Sequence, residues 1–378
     1  MDMSAILLIG GSPAASDDGS SPKEKVGGVA IAYLDVLGMP ILERVLLRLQ
    51  HFGITSTTVL SNVRPPDETF TRFSSLKRPE VQRFESSDEQ FWQAAEEEFE
   101  KSRQAGADLV VVLRIGPYLE IDYEKLIQHH LDKHCCVTAT VDTDGRRLDH
   151  FILNASARND AAALFGSRMT RLRKQEEPFL FTGYVNRLRD ASDLRRLAVD
   201  GLLAKNSVIP QGRQVRPGVW VKRPSHIHRK ARIVAPAFIG AHARIRDAAV
   251  ITRASAVEHH AQVDCGTVVE DSTLLPFTCV GAGLEVAHSV SGFYRLIDLP
   301  RKTEVEIKDG KILGMRVLSP ILRFAGITSA FLAFKLKDIY RGLFSPSHRD
   351  KTAVIPESLE PAAAALESPV MEPQKDRP

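Results

Sequence analysis

The sequence predicts an α/β protein in two parts, a doubly wound α/β domain followed by a parallel β-helix. Short aliphatic runs alternate with amphipathic helical segments over residues 1–205, which is typical of a parallel sheet covered by helices on both faces. From Val215 onward, aliphatic residues recur every six positions, a spacing that neither a helix nor a single strand produces. The length of 378 residues also exceeds that of one ordinary hydrophobic core.

The elements of the first domain follow from apolar runs and breaker residues. The run Ala5–Ile9 predicts a buried strand that ends at the glycines 10–11. A helix with one apolar face begins near Ile41 and stops before Gly53. A capping box formed by Ser86 and Glu89 predicts a second helix. A third helix is predicted over Asp122–Lys133. Three further strands are predicted over Thr57–Leu60, Leu109–Leu113 and Val137–Val141.

The six-residue repeat predicts triangular coils, in which each repeat forms one flat side and three sides make a coil of 18 residues. One aliphatic side chain per repeat is expected to point inward, and a small residue two positions earlier fits the corner. The inward positions are Val215, Val221, Ile227, Ile233, Ile239, Ile245, Ile251, Val257, Val263, Val269 and Leu275. The corner positions are Ser225, Ala231, Ala237, Ala243, Ala249, Ser255, Ala261, Thr267 and Thr273.

These patterns divide the chain into five segments. We expect the α/β domain over 1–205, the β-helix over 206–290 and a hairpin extension over 291–318, which turns at Lys308–Lys311. A basic amphipathic helix is predicted over 319–344, and a disordered tail over 345–378. That helix suits either docking on the protein itself or binding to a membrane surface.

The composition indicates a soluble globular protein, with 43% hydrophobic and 26% charged residues. A formal net charge of +3 argues against a general affinity for nucleic acid. The four cysteines form no CxxC pair, which predicts reduced thiols and a cytoplasmic location. The N-terminus shows no signal-peptide pattern, and no run reaches the roughly 20 apolar residues of a membrane-spanning helix.

Two segments resemble the sugar-1-phosphate nucleotidyltransferase family, which includes GDP-mannose and glucose-1-phosphate pyrophosphorylases. GMPILERVLLRLQHFGI, at 38–54, is similar to the family pattern G-K-P-M-L-x-x-x-L-x-x-L-x-x-x-G-I. GYVNRLRDASDLRRLAVDGL, at 183–202, resembles the stretch before the C-terminal repeats in that family. The resemblance implies a Rossmann-like domain followed by a left-handed β-helix. It also implies the reaction of a nucleoside triphosphate with a sugar-1-phosphate, giving a nucleotide sugar and pyrophosphate, and a place in polysaccharide biosynthesis.

The family motifs that bind nucleotide are only partly kept. Gly10 and Gly11, followed by Ser12, keep the first glycines of the family's G-x-G-T-R signature, but Pro13 stands at its second glycine and Ala15 stands where its arginine is expected. Lys23 lies in the only nearby Pro-Lys pair. Glu85 precedes the segment that matches the family's G-T-A-G, where Trp92 is a candidate for stacking on a base, although its helical spacing favours core packing.

The family's two metal-binding aspartates are replaced, at Gly116 and at Arg187. The resemblance therefore implies Mg²⁺ for the family but predicts no metal ligands and no catalytic residue in this chain. Arg114 and Arg187 would instead attract a phosphate directly, or would pair with acidic neighbours. We expect a catalytically impaired relative, a pseudoenzyme that binds nucleotide sugar or sugar phosphate and assembles as a homo-oligomer or with an active paralogous subunit.

Three alternatives stay open at this point. The first is an active but divergent sugar nucleotidyltransferase. The second is a β-helix acyltransferase, whose general base would be one of several histidines in the repeats. Those histidines are His226, His228, His242, His259 and His260. The third is an oligomeric scaffold held at a membrane surface by the helix predicted over 319–344.

Overall fold

The computed structural model of the protein describes residues 1–11, 25–26, 29–54, 56–63, 80–83, 87–169 and 177–315. Within these residues, the N-terminal part contains a seven-stranded sheet in which Arg147–Asn154 alone runs antiparallel to its neighbours. The spatial order of the strands is Phe179–Leu180, Val137–Val141, Arg147–Asn154, Leu109–Arg114, Met3–Ile9, Ser56–Ser61 and Glu80–Arg83. The sheet contains all four strands that the sequence predicts here, so the mixed α/β class is confirmed.

Helices cover both faces of this sheet. In the strand Met3–Ile9, the side chain of Leu7 packs against one group of helices and that of Leu8 against another, and both residues are fully buried. Successive side chains of a strand point to opposite faces, so the apolar run Leu109–Leu113 is explained by burial on both sides. The described helices are α1 (Ile41–His51), α2 (Asp88–Gln104), α3 (Tyr123–Asp132), α4 (Arg158–Gly166) and α5 (Ala191–Leu202), with a 3-10 turn at Ile31–Tyr33.

Short antiparallel pairs of strands complete the N-terminal part. They are Lys25–Val26 with Val29–Ala30, Asp35–Val36 with Met39–Pro40, and Tyr118–Leu119 with Val185–Asn186.

The starts of α2 and α3 test the sequence predictions of helix capping. Asp122 caps α3, since its carboxylate accepts a hydrogen bond from the backbone amide of Lys125. The N-cap of α2 is Ser87, one residue later than predicted, and its side chain makes no capping hydrogen bond. The predicted partner Ser86 lies outside the described residues.

The C-terminal part consists of three stacked sheets, here called the three-sheet region (residues 213–315). Sheet I contains Arg213–Arg216, Val219–Val221, Ala237–Ile239, Ser255–Val257, Thr273–Leu274, Ser289–Gly292, Arg295–Asp298 and Thr303–Glu306. Sheet II contains His226–Ile227, Arg244–Ile245, Gln262–Val263, Thr278–Val280 and Leu313–Met315. Sheet III contains Arg232–Ile233, Val250–Thr252, Val268–Glu270 and Glu285–Ala287.

Strands from successive repeats pair in parallel at the spacing of the predicted coil. Val221 pairs with Ile239, and Ile239 with Val257, so each step advances the chain by one 18-residue coil. The predicted inward residues from Ile233 to Val269 form one buried cluster. This series of parallel strands in stacked sheets is compatible with the predicted β-helix.

The corners of the coils use a left-handed backbone residue followed by a small one. Ala243 and Ala261 are fully buried, as predicted for corner positions. The residue before each has a positive φ, 58° at His242 and 57° at His260. A small side chain is needed after this turn because the corner is closed by the neighbouring coil, through hydrogen bonds such as that from the Arg244 amide to the Ala261 carbonyl.

Three predicted inward positions are wrong. Val215 and Ile227 are 52% and 38% exposed, because they belong to the first strands of the region and have no preceding coil to cover them. Leu275 is displaced because one coil is shortened: Val257 pairs with Leu274, 17 positions later. Leu274 therefore points into the three-sheet region, while Leu275 packs towards the N-terminal part.

The three-sheet region shares a hydrophobic core with α5 and with the segment before α1. Phe238, Ala256 and Leu275 of sheet I or its corners pack in one cluster with Leu194 and Leu197 of α5. Residues 1–317 accordingly form one compact unit.

Antiparallel strands follow the last parallel pair, as the predicted hairpin extension requires, but they do not turn at the predicted place. Thr303–Glu306 pairs with Arg295–Asp298, and Leu313–Met315 pairs with Thr278–Val280. The hairpin turns at 299–302, and the predicted turn at Lys308–Lys311 instead carries the chain from sheet I to sheet II. The helix and the tail predicted over 319–344 and 345–378 lie outside the described residues. No helix in the described part of the chain has the length and apolar character needed to cross a membrane.

Candidate functional site

The carboxyl ends of the central strands provide the candidate site. Met3–Ile9 pairs with Ser56–Ser61 on one side and Leu109–Arg114 on the other, so the strand order reverses at this strand. In open α/β sheets, ligands bind in the crevice outside the strand ends at such a reversal. The amide of Ile115 donates to the carbonyl of Leu8, which places the turn after Arg114 beside Gly10.

Gly10 and Gly11 form a tight, buried turn at the carboxyl end of Met3–Ile9. Their φ values are +88° and +72°, in the region that favours glycine. A Cβ on Gly10 would lie 1.8 Å from Oδ1 of Asn62, and one on Gly11 would lie 2.6 Å from the ring of Phe91. Both positions therefore require glycine, and the backbone turn stays free of side-chain atoms of its own.

Trp92 lies in the core beside this turn. It is 5% exposed and meets Phe91 edge to face, with ring centroids 5.4 Å apart. Core packing of the α2 face explains its position, as its helical spacing predicted. Its indole nitrogen has no hydrogen-bond partner in the described residues, so sequence reasoning missed one buried donor near Gly11.

Arg114 is paired with an aspartate. Its Nε and Nη2 atoms lie 3.0 and 2.5 Å from Oδ2 of Asp149, and both side chains are largely buried. Asp149 lies on the antiparallel strand Arg147–Asn154, near the same sheet edge. The guanidinium charge is thus balanced by a carboxylate.

Arg187 is paired in the same way, with Asp142. Asp142 directly follows the strand Val137–Val141 and also accepts hydrogen bonds from the backbone amides of Asp144 and Arg146. Arg114 and Arg187 therefore occupy separate ion pairs, which is the alternative to a joint phosphate site that the sequence left open.

The two positions that correspond to metal-binding aspartates do not fit Mg²⁺. Gly116 has no side chain, and the side chain of Arg187 is a cation held by Asp142. The neighbouring Asn186 is fully buried and committed to the loop before α5, where its amide donates to Asp193 and its oxygen accepts from Leu188. Across the described ranges, no group of three His, Cys, Asp or Glu side chains is arranged to hold a metal ion.

Three of the predicted binding residues lie outside the described part of the chain: Ser12, Lys23 and Glu85. Of the predicted set, the structure places Gly10 and Gly11 beside the strand of Arg114, and Arg187 at an ion pair further along the same sheet edge.

The candidate histidines of the repeats occupy different environments. His226, His228 and His242 are exposed, and Nδ1 of His228 lies 3.2 Å from Asp247. The ring of His260 stacks between those of His242 and Phe277, with centroid distances of 4.5 and 4.9 Å. His259 is buried, and its Nδ1 lies 2.8 Å from Oδ2 of Asp35. These histidines therefore do not converge on one open cleft.

Sequence reasoning missed a buried polar cluster between the three-sheet region and the N-terminal part. The carboxylate of Glu258 accepts hydrogen bonds from the amides of Leu37 and Gly38, at 2.8 and 2.9 Å. Burial, and secondarily the nearby carboxylate of Asp35, raise the pKa of Glu258 to about 8. Burial lowers the pKa of the neighbouring Arg44 guanidinium, whose Nη2 donates to the Val36 carbonyl. In the sequence, the one indication of this cluster was the charged Glu258 directly after the inward residue Val257.

No protein-family model matches this chain. No curated protein matches it either.

Proposed function

We propose that this chain is a nucleotidyltransferase-like protein, a doubly wound α/β domain followed by a left-handed β-helix. Its function in this proposal is to bind a nucleotide sugar or a sugar phosphate without catalysing metal-dependent transfer. The observation that carries the proposal is the Gly10–Gly11 turn at the reversal of strand order.

The glycine turn favours a ligand with phosphate groups. The places of the absent Cβ atoms are filled by Asn62 and Phe91. It is therefore the turn itself that favours phosphate, because successive main-chain amides in such a turn can form an anion-binding concavity. The position outside the carboxyl ends of parallel strands is where open α/β sheets bind nucleotides. The resemblance of residues 38–54 to the nucleotidyltransferase pattern supports the same ligand class.

The loss of catalysis follows from the charges at the sheet edge. Transfer to a sugar phosphate requires compensation of the negative charge on the departing pyrophosphate, which a carboxylate-held metal supplies. At this edge Asp142 and Asp149 are each neutralised by an arginine, and Gly116 offers no ligand. Binding without turnover suits a regulatory relative of an active enzyme.

Calorimetry and a pyrophosphate assay test the proposal together. UDP-glucose, GDP-mannose and glucose-1-phosphate are titrated into the full chain with and without Mg²⁺. We expect heats of binding that do not depend on Mg²⁺, that are lost in Gly11→Ala and that are kept in Gly53→Ala. Gly53 is a matched control because its φ is also positive, at +79°, but a Cβ there would meet nothing within 4 Å.

Two outcomes contradict the proposal. Release of pyrophosphate from a nucleoside triphosphate and a hexose-1-phosphate would show an active divergent enzyme. An absence of heat with every ligand would reject the binding function. Arg114→Ala and Arg187→Ala report separately on the two arginines, and we expect each to lower stability through its unpaired aspartate.

A further inference from the structure

Positive charge is concentrated at the start of the three-sheet region. Residues 213–253 contain ten lysines and arginines and a single acidic residue, Asp247. Over residues 254–306 the balance reverses, with eight acidic and three basic residues. The small net charge of the whole chain conceals this separation.

The basic residues lie on the terminal layers of the stack. Arg213–Arg216 is the end strand of sheet I, and His226–Ile227 and Arg232–Ile233 are the end strands of sheets II and III. The guanidinium of Arg216 donates to the carbonyl of Ile233, so it reaches across this end from sheet I to sheet III. Strands are spaced by about 4.8 Å, so three layers span roughly 10 Å. This distance is close to the Debye screening length of physiological salt, so the electrostatic potentials of the charges in the three layers add up.

Most of this charge is not compensated within the protein. Arg223, Arg229, Arg232 and Arg244 are exposed, and none of them makes an ion pair with another described residue. Asp247 lies 3.8 Å from Lys230 and is shared with a histidine. This end therefore presents an open cationic surface.

Aliphatic side chains are exposed among these arginines. Val215 is 52% exposed and Ile227 is 38% exposed, and both lie in end strands. Trp220, the aromatic residue of this end, packs instead towards the N-terminal part. Basic groups with exposed aliphatic residues suit a lipid headgroup layer, whereas surfaces that bind single-stranded nucleic acid use exposed aromatic rings.

We propose that this basic end, residues 213–232 together with Arg244, docks the protein on an anionic lipid bilayer. The guanidinium groups meet the phosphate and carboxylate headgroups, and Val215 and Ile227 enter the headgroup boundary. This docking is independent of the ligand proposed for the Gly10–Gly11 turn, and it does not use residues 319–344.

Co-sedimentation of the full chain with vesicles tests the docking. We expect binding to phosphatidylcholine vesicles that contain about 30% phosphatidylserine, because an anionic lipid surface attracts basic residues, and no binding to phosphatidylcholine alone. Arg229→Gln/Arg232→Gln/Arg244→Gln should weaken binding about a hundredfold, since each basic residue near the surface contributes about fivefold. Val215→Ser/Ile227→Ser should weaken vesicle binding relative to wild type also at high salt, where the electrostatic contribution to binding is screened.

A control variant with the same change in net charge separates a local surface from general attraction. Arg196→Gln/Lys205→Gln/Arg301→Gln removes three exposed charges elsewhere, and we expect binding within about twofold of wild type. Equal weakening by both triple variants, or full binding by the basic-end variant, would overturn the proposal. So would tighter binding to duplex DNA or RNA than to vesicles at the same salt. Unchanged thermal unfolding midpoints verify that all variants are folded.

Discussion

The side chain of Glu258 is bonded to the backbone of Gly38, although 220 positions separate them in the chain: its Oε2 accepts the amide hydrogen at 2.9 Å. The second oxygen accepts from Leu37 at 2.8 Å. These bonds fix the turn before α1 to a corner of the three-sheet region. The turn lies directly before α1 of the N-terminal part, so one buried carboxyl group links the two parts of the protein.

Replacing this carboxylate should destabilise the whole unit. Glu258→Ala leaves the amides of Leu37 and Gly38 buried without an acceptor, which costs about 1–3 kcal/mol for each group. We expect a decrease of about 3–5 kcal/mol in the free energy of unfolding, measured by urea denaturation. Glu285→Ala, at an exposed strand position, is the matched control and should stay within about 0.5 kcal/mol of wild type.

The raised pKa of Glu258 predicts a dependence of stability on pH. In the folded state the pKa is about 8, against an ordinary value of 4.5, so folding favours the protonated form. The stabilisation linked to this proton is complete below about pH 4.5 and is lost as the pH rises towards 8. Glu258→Gln cannot titrate, and the free energy of unfolding of the variant relative to wild type should therefore rise by about 1.4 kcal/mol per pH unit in this window. A constant difference between the two proteins from pH 5 to pH 8 would refute the assignment.

Arg195 makes a second buried link between the two parts. From α5, its guanidinium donates to the carbonyl of Ala254 at 2.8 Å and to the carboxylate of Asp271 at 2.9 Å. Arg195→Met should cost about 1–3 kcal/mol, because it leaves the buried carbonyl of Ala254 without this donor. The carboxylate of Asp271 adds little to this cost, since Asp271 is 40% exposed and keeps His288 as a partner. The next residue, Arg196, has a side chain that is 55% exposed, so Arg196→Met should change the free energy of unfolding by less than about 0.5 kcal/mol. Similar decreases in the free energy of unfolding of both variants would show that these arginines act through the charge of α5 itself and not through the contact of Arg195 with the three-sheet region.

The fold was far easier to predict from the sequence than the site was. Periodicity predicts the strand Leu109–Leu113 and the corner at Ala243, because burial imposes a local and repeated pattern on the residues. The coil shortened before Leu274 breaks that repeat by one residue, which a fixed spacing cannot anticipate. The ion pair of Arg114 with Asp149 and the contact of Glu258 with Gly38 join residues 35 and 220 positions apart. Pairings of this kind depend on the tertiary arrangement, and no local pattern encodes them.

The glycines of the candidate site allow a test that separates backbone strain from steric contact. Gly10 and Gly53 both have positive φ values, +88° and +79°. A Cβ would collide with Asn62 at Gly10 and would meet nothing at Gly53. Gly53→Ala should therefore cost about 1–2 kcal/mol from strain alone. Gly10→Ala should cost little more, because the exposed side chain of Asn62 can rotate away. A much larger cost that Gly10→Ala/Asn62→Ala removes would show instead that Asn62 is held in place.

In the three-sheet region, replacing isoleucine by alanine should lower the free energy of unfolding by different amounts at two equivalent repeat positions. Ile251 is fully buried in the stack, whereas Ile227 lies in an end strand and is 38% exposed. Ile251→Ala removes buried methyl and methylene groups and leaves a cavity, which should cost about 3–4 kcal/mol. Ile227→Ala should cost less than about 1 kcal/mol, because solvent fills the space that the side chain leaves. Urea unfolding of both variants gives the comparison, and equal costs would mean that the end of the stack is covered in solution, for instance by a second copy of the chain.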